Sequence, residues 1–173
     1  MALLRGIVAV LQILFALQAN AYDECEEIGI CEHADDYPTE LVQDLIKELK
    51  SKNTIFNKDE FEIDLGFRFN DDIQELCEIT KKQMAPTKAK DAKGVMRYIV
   101  NDKNNPVQKF NTAICNNRGS KCNDFLGFLP NYRSVCIQKS VLRQMIYVND
   151  KNQTAVDYFK VPICCSCELL RTD

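Results

Sequence analysis

Histidine is nearly absent from this chain: His33 is the only one in 173 residues, and it lies in an acidic N-terminal stretch. The rest of the sequence therefore has no histidine to activate a nucleophile or move a proton, and it has no glycine-rich phosphate loop. Both absences argue against an enzyme. The adjacent carboxylates Asp71 and Asp72 sit in a polar linker, so no catalytic residue is assigned. Zinc is the competing reading of Cys164-Cys165-Ser166-Cys167, but that run lacks the two-residue spacer of structural zinc pairs and has no histidine nearby. Neither metal nor cofactor is expected. Beyond the first 21 residues no stretch approaches the roughly 20 apolar residues of a membrane-spanning helix, so no membrane insertion is expected. The basic residues are scattered, which speaks against a nucleic-acid partner.

What is present begins with Arg5, a largely apolar run from Gly6 to Leu17, and Ala19-Asn20-Ala21. This pattern predicts a secretory signal peptide cleaved after Ala21 and an extracellular product. In an oxidising compartment the nine cysteines read as a disulfide framework. Charge is unevenly placed. Residues 22–68 carry five Lys/Arg against fourteen Asp/Glu, a net of −9, whereas residues 69–173 carry sixteen against eleven, a net of +5. Two such blocks attract one another.

Cys25 and Cys31 enclose five residues, close enough for a local bridge. A helix is predicted next, capped by Asp35 or Asp36, with Pro38 in its first turn and an apolar stripe of Leu41, Val42, Leu45, Ile46 and Leu49. That stripe can pack on the domain surface or mask an apolar strip of it. Residues 51–72 read as a linker open to proteases, with at most a short strand over 61–65. Arg68 is the only arginine between Arg5 and Arg97, which makes it the candidate cleavage residue. No dibasic site precedes the C-terminal domain, so a trypsin-like protease is expected. Beyond Cys77 the texture is all-β. Val95–Val100 is expected to pair with Val107–Cys115 across the turn signal at 101–106. Cys136–Val148 is expected to pair with Ala155–Cys167 across a turn at 149–152. Asn152-Gln153-Thr154 is a glycosylation sequon at that second turn.

Cleavage after Arg68 leaves seven cysteines, and an odd count implies a free thiol or an interchain bond. Strand alternation places Phe159, Val161, Ile163, Cys165 and Cys167 on one face and Cys164 on the other. Cys164 is therefore the odd cysteine. The remaining six, Cys77, Cys115, Cys122, Cys136, Cys165 and Cys167, admit fifteen pairings.

Four stretches carry a resemblance. They are Leu76-Cys77, Tyr98-Ile99-Val100-Asn101, Leu129-Pro130-Asn131-Tyr132-Arg133-Ser134-Val135-Cys136-Ile137-Gln138, and Phe159-Lys160-Val161-Pro162-Ile163-Cys164-Cys165-Ser166-Cys167. Over roughly residues 69–167 the chain resembles the Spätzle family, arthropod neurotrophin-like cystine-knot ligands of Toll receptors. Met96 and Ala85-Pro86 depart from that family's usual Trp and Tyr-Pro. The resemblance implies a small, all-β, disulfide-rich cystine-knot cytokine fold of two long twisted hairpins, preceded by a partly helical propeptide. It implies the bridges Cys77–Cys136, Cys115–Cys165 and Cys122–Cys167, and an interchain bridge through Cys164 that makes a homodimer. It also implies cutting by a trypsin-like clip-domain protease between Arg68 and Phe69, and binding to the ectodomain of a Toll-type receptor.

The expected organisation is a signal peptide over 1–21, an acidic propeptide over 22–68 and a cystine-knot domain over 69–173. Lys139, Arg143 and Lys151 on the second hairpin are candidate receptor contacts. Two other classes share parts of this pattern: a coagulogen-like clotting or structural protein, and a secreted inhibitor or venom component.

Overall fold

The longest feature of the computed structural model is an antiparallel hairpin of β6 (Tyr132–Val148) and β7 (Thr154–Arg171). The structure describes residue 25 and residues 27–60, 75–123 and 131–172. The hairpin closes through Asn149 N–H to Gln153 O at 2.8 Å and Asn152 N–H to Asn149 O at 3.0 Å. Asn152 takes φ 56°, a left-handed conformation that asparagine tolerates.

A second, shorter ribbon pairs β2 (Ile79–Met84) with β5 (Phe110–Cys115). Between them in sequence, β3 (Lys88–Lys90) pairs with β4 (Met96–Tyr98), and β1 (Ile30–Cys31) adds to the outer edge of β3. The expected pairing of Val95–Val100 with Val107–Cys115 is therefore corrected. The backbone of β4 is taken up by β3, and the 101–108 connection is a loop built on buried Asn101. Its Oδ1 accepts Val107 N–H at 2.9 Å and its Nδ2 donates to Gln108 O at 2.8 Å and Pro86 O at 3.1 Å. Gln108, fully buried, donates to Val100 O and Ile146 O and accepts Ile146 N–H, each at 2.9 Å. An amide side chain thus stands where strand pairing was expected.

Helix α1 (Thr39–Ser51) has Pro38 at its N-cap and no side-chain cap. Neither Asp35 nor Asp36 caps it: the Asp36 carboxylate instead accepts from Lys88 and Tyr98, at 2.8 and 2.7 Å. Val42, Leu45 and Ile46 are buried against Val100, Val107, Ile146 and Val148, with Leu41 and Leu49 packed at the margin. Each such aliphatic burial contributes about 2 kcal/mol.

A separate cluster joins Ile30, Met84, Ala89, Ile99, Phe110, Met145, Phe159 and Val161. A third consists of Cys77, Cys122 and Cys136 with Leu76, Cys165 and Cys167 beside them. Three small cores strung along one hairpin are weak individually, and covalent staples compensate.

Candidate functional site

Cys136 on β6 stands opposite Cys167 on β7, and Cys165 stands opposite Gln138. Gln138 reaches across to β5, accepting Cys115 N–H at 2.8 Å and donating to Ala113 O at 3.0 Å, which brings Cys115 beside Cys165. The structure bridges Cys115–Cys165 and Cys122–Cys167, with Cα separations of 5.2 and 6.0 Å. These two bridges link the short segments 115–122 and 165–167 into a ring.

Cys77–Cys136 is the third bridge, with a Cα separation of 5.8 Å. Cys136 N–H donates to Ser120 O at 2.9 Å and its carbonyl accepts Gly119 N–H at 2.8 Å, so this bridge runs against the ring segment itself. Gly119 has φ 78°, which explains a glycine there. The sulfurs of Cys77, Cys122 and Cys136 lie within 4.8 Å of one another, but all three are disulfide-bonded and offer no thiolate to a metal. Cys25 and Cys31 form a fourth, local bridge.

Cys164 is exposed and has no disulfide partner within the chain. The expected alternation through Ile163 is corrected. Lys139 faces Cys164 but Ser140 faces Pro162, so Ile163 is an extra residue on β7. Phe159 and Val161 oppose Arg143 and Val141, on the same face as Lys139 and Cys164. Cys165 and Cys167 oppose Gln138 and Cys136, on the other face. Ile163 itself is 43% exposed. Pro162 is the cause visible in the sequence: without an N–H it cannot continue a regular ladder, and proline within a sheet marks a bulge.

The acidic N-terminal segment meets the basic domain along an extended seam. Among the described residues, four ion pairs cross it: Glu27–Arg118, Glu32–Lys82, Asp36–Lys88 and Asp59–Arg143. Tyr37 also anchors it. The hydroxyl donates to Ile99 O at 2.6 Å and accepts Asn101 N–H at 3.0 Å, and burial pushes its pKa up to about 12.

Hydrogen bonds from Lys88 and Tyr98 hold the Asp36 carboxyl below the ordinary carboxylate range. Burial alone would raise buried Asp91, but N–H donation from Val95 and Lys93 and the Arg97 charge outweigh it, so it too is held low. A depressed folded pKa gives stability that is present above the unfolded value of about 3.9 and lost as pH falls through the folded value. Thermal midpoints should therefore be level from about pH 7 to 5 and decline below about pH 4. A midpoint unchanged to pH 3 would contradict this.

Of the other expected site residues, Lys139 pairs with Glu168, Arg143 with Asp59, and Lys151 and Asn152 are exposed at the hairpin turn. Ala21, Arg68 and Phe69 lie outside the described residues. Sequence reasoning missed Asp59, Asn101 and Gln108, because isolated polar residues in loops carry no periodic signal.

The family model described as Spaetzle matches residues 74–169. The chain is similar to Neurotrophin 1 of Drosophila melanogaster, with 28% identity over 165 residues covering 84% of this chain and 18% of that protein. It is also similar to Protein spaetzle 5 of the same organism, with 27% identity over 95 residues covering 54% of this chain and 24% of that protein. It thus spans less than a quarter of the length of these curated relatives. A solved structure titled "Crystal structure of spatzle cystine knot" is 20% identical, covering 59% of this chain and 99% of that chain, at a TM-score of 0.38.

Proposed function

Because this chain belongs to the Spaetzle family, we propose that it is a secreted, proteolytically activated, disulfide-linked dimeric cytokine that binds and activates a Toll-type receptor in innate immunity or development. The observation that carries this reading is Cys164. On a hairpin whose other three cysteines are all bridged within the chain, it alone is unbridged and exposed, with exposed Ile163 and Val141 nearby.

The proposed sequence of events has three steps. The signal peptide leaves after Ala21, and two copies join through Cys164. A trypsin-like clip-domain protease then cuts between Arg68 and Phe69, separating the acidic segment over 22–68 from the domain over 69–173. The domain, a two-fold dimer presenting each surface twice, then organises receptor ectodomains. The seam supports a masking role for the acidic segment, since α1 covers Val100, Val107, Ile146 and Val148. An exposed turn at Asn152 supports glycosylation there.

Two measurements test the proposal. N-terminal sequencing of the activated fragment should begin at Phe69, and any other start moves the cleavage site. On non-reducing gels the wild type should run as a discrete dimer and Cys164→Ser as a monomer. A covalent dimer persisting in Cys164→Ser sinks the interchain assignment, and a ladder of higher polymers favours the clotting class.

A further inference from the structure

Residues 57–60 of the chain are held by three strands in the manner of a bound peptide. Lys58 forms a parallel bridge with Lys109, and Asp59 N–H donates to Lys109 O at 2.8 Å. The Asp59 carbonyl accepts Gln83 Nε2 at 3.1 Å and the Glu60 carbonyl accepts Asn111 Nδ2 at 2.9 Å. Asn57 Nδ2 donates to Gln144 O at 3.0 Å. The Asp59 carboxylate accepts Asn111 N–H at 2.9 Å and pairs with Arg143, whose guanidinium lies 5.9 Å from the Phe110 ring centroid. Main-chain groups of two successive residues and one carboxylate are therefore read together, as in strand addition to a sheet.

Every group that does the holding lies after Arg68 in sequence, and every group that is held lies before it. A cut in the intervening linker turns one folded contact into a site and a ligand. We propose that Gln83, Lys109, Asn111 and Arg143 form a binding site for an extended, aspartate-containing strand of a protein partner, and that residues 57–60 occupy it as a stand-in until the acidic segment leaves. This rests on the reading that the segment is released by proteolysis.

The chemistry selects such a strand. The two Asp59 carboxylate oxygens face one donor each, Arg143 and the Asn111 N–H, which suits a carboxylate and disfavours a carboxamide, whose NH₂ would meet a donor. Lys109 O accepts a main-chain N–H in register with the parallel bridge at Lys58, an arrangement that an extended peptide strand supplies. A groove of about 1010 Å³ lies beside this contact, lined by Asp59, Gln83, Asn111 and Arg143 and also by Lys82, whose partner Glu32 likewise precedes Arg68.

The test uses protein cut between residues 60 and 75 and freed of its N-terminal segment. The cut is made at Arg68 or, with an aspartate-specific protease, at Asp71, so it does not depend on the natural bond. A fluorescent peptide of residues 53–60 and its Asp59→Asn form are compared by anisotropy. The aspartate peptide should bind roughly 10-fold or more tightly than its asparagine form, a typical ratio for a charge-assisted hydrogen bond. Arg143→Ala should bring that ratio close to one. Amide exchange at Asn111 should slow when the aspartate peptide is added.

Equal binding of the two peptides by unaltered protein overturns the proposal, and that comparison needs no variant to fold. An undiminished ratio in Arg143→Ala overturns it as well. A cut protein that shows the preference yet fails to stimulate a receptor keeps the site and removes the receptor reading. One that signals without the preference removes the site alone.

Discussion

Replacing Cys77 and Cys136 together by alanine should lower the thermal midpoint by roughly 15 °C, about twice the loss from treating Cys25 and Cys31 in the same way. The difference lies in the loops that the bridges close. Cys77–Cys136 spans a sequence separation of 59 and Cys25–Cys31 a separation of 6. In the chain-entropy model these correspond to about 4 and about 2 kcal/mol. For a domain of this size each kcal/mol moves the midpoint by a few degrees. The knot bridge also forms the centre of a buried cluster in which, among the described residues, Leu76 is the one large aliphatic neighbour. Circular dichroism melts of the oxidised proteins decide the matter. Equal midpoints for the two double variants would show that the long bridges do not carry the fold.

Val42→Asp should detach α1 and uncover the second hairpin without any cut. Val42 is fully buried against the Val100, Val107, Ile146 and Val148 surface. A carboxylate there has no partner, and burying it costs more than about 4 kcal/mol, which exceeds what one aliphatic contact contributes. The helix therefore leaves rather than accommodates the charge. Amide exchange at Ile146, whose N–H is held by Gln108 beneath the helix, should accelerate. Under the masking proposal the uncleaved variant then stimulates a Toll reporter that uncleaved wild type leaves silent. If exchange shows the helix gone and the variant stays silent, α1 is packing and not a mask.

The parts of this fold that were legible in the sequence are those written as a repeating pattern. The disulfide-rich all-β class, the second hairpin with its turn at 149–152 and the apolar stripe of α1 all follow from periodicity and turn residues. The charge imbalance between the two halves also has a structural counterpart in the ion pairs along the seam.

What was not legible depends on single residues whose partners are distant. Gln108 clamps Val100 and Ile146 beside their direct bond, Val100 N–H to Ile146 O at 2.9 Å, and nothing local marks it. Asp59 and Arg143 belong to segments 84 positions apart by number, so their pairing has no sequence signature. The face of Cys164 is more instructive. Alternation assigned it opposite to Cys165 and Cys167, and register agrees, but placing Phe159 and Val161 with Cys165 and Cys167 ignored Pro162 and the extra residue Ile163. One missing N–H shifts every residue on its N-terminal side to the other face.

Under the proposed function, cleavage converts a silent precursor into a Toll-type receptor ligand. The most direct measurement is a Toll-dependent reporter assay with intact protein and with protein verified as cut between Arg68 and Phe69, both as the Cys164-linked dimer. The cut dimer should give a response and the intact one none. No response to verified cut dimer, or an equal response to both forms, would contradict it.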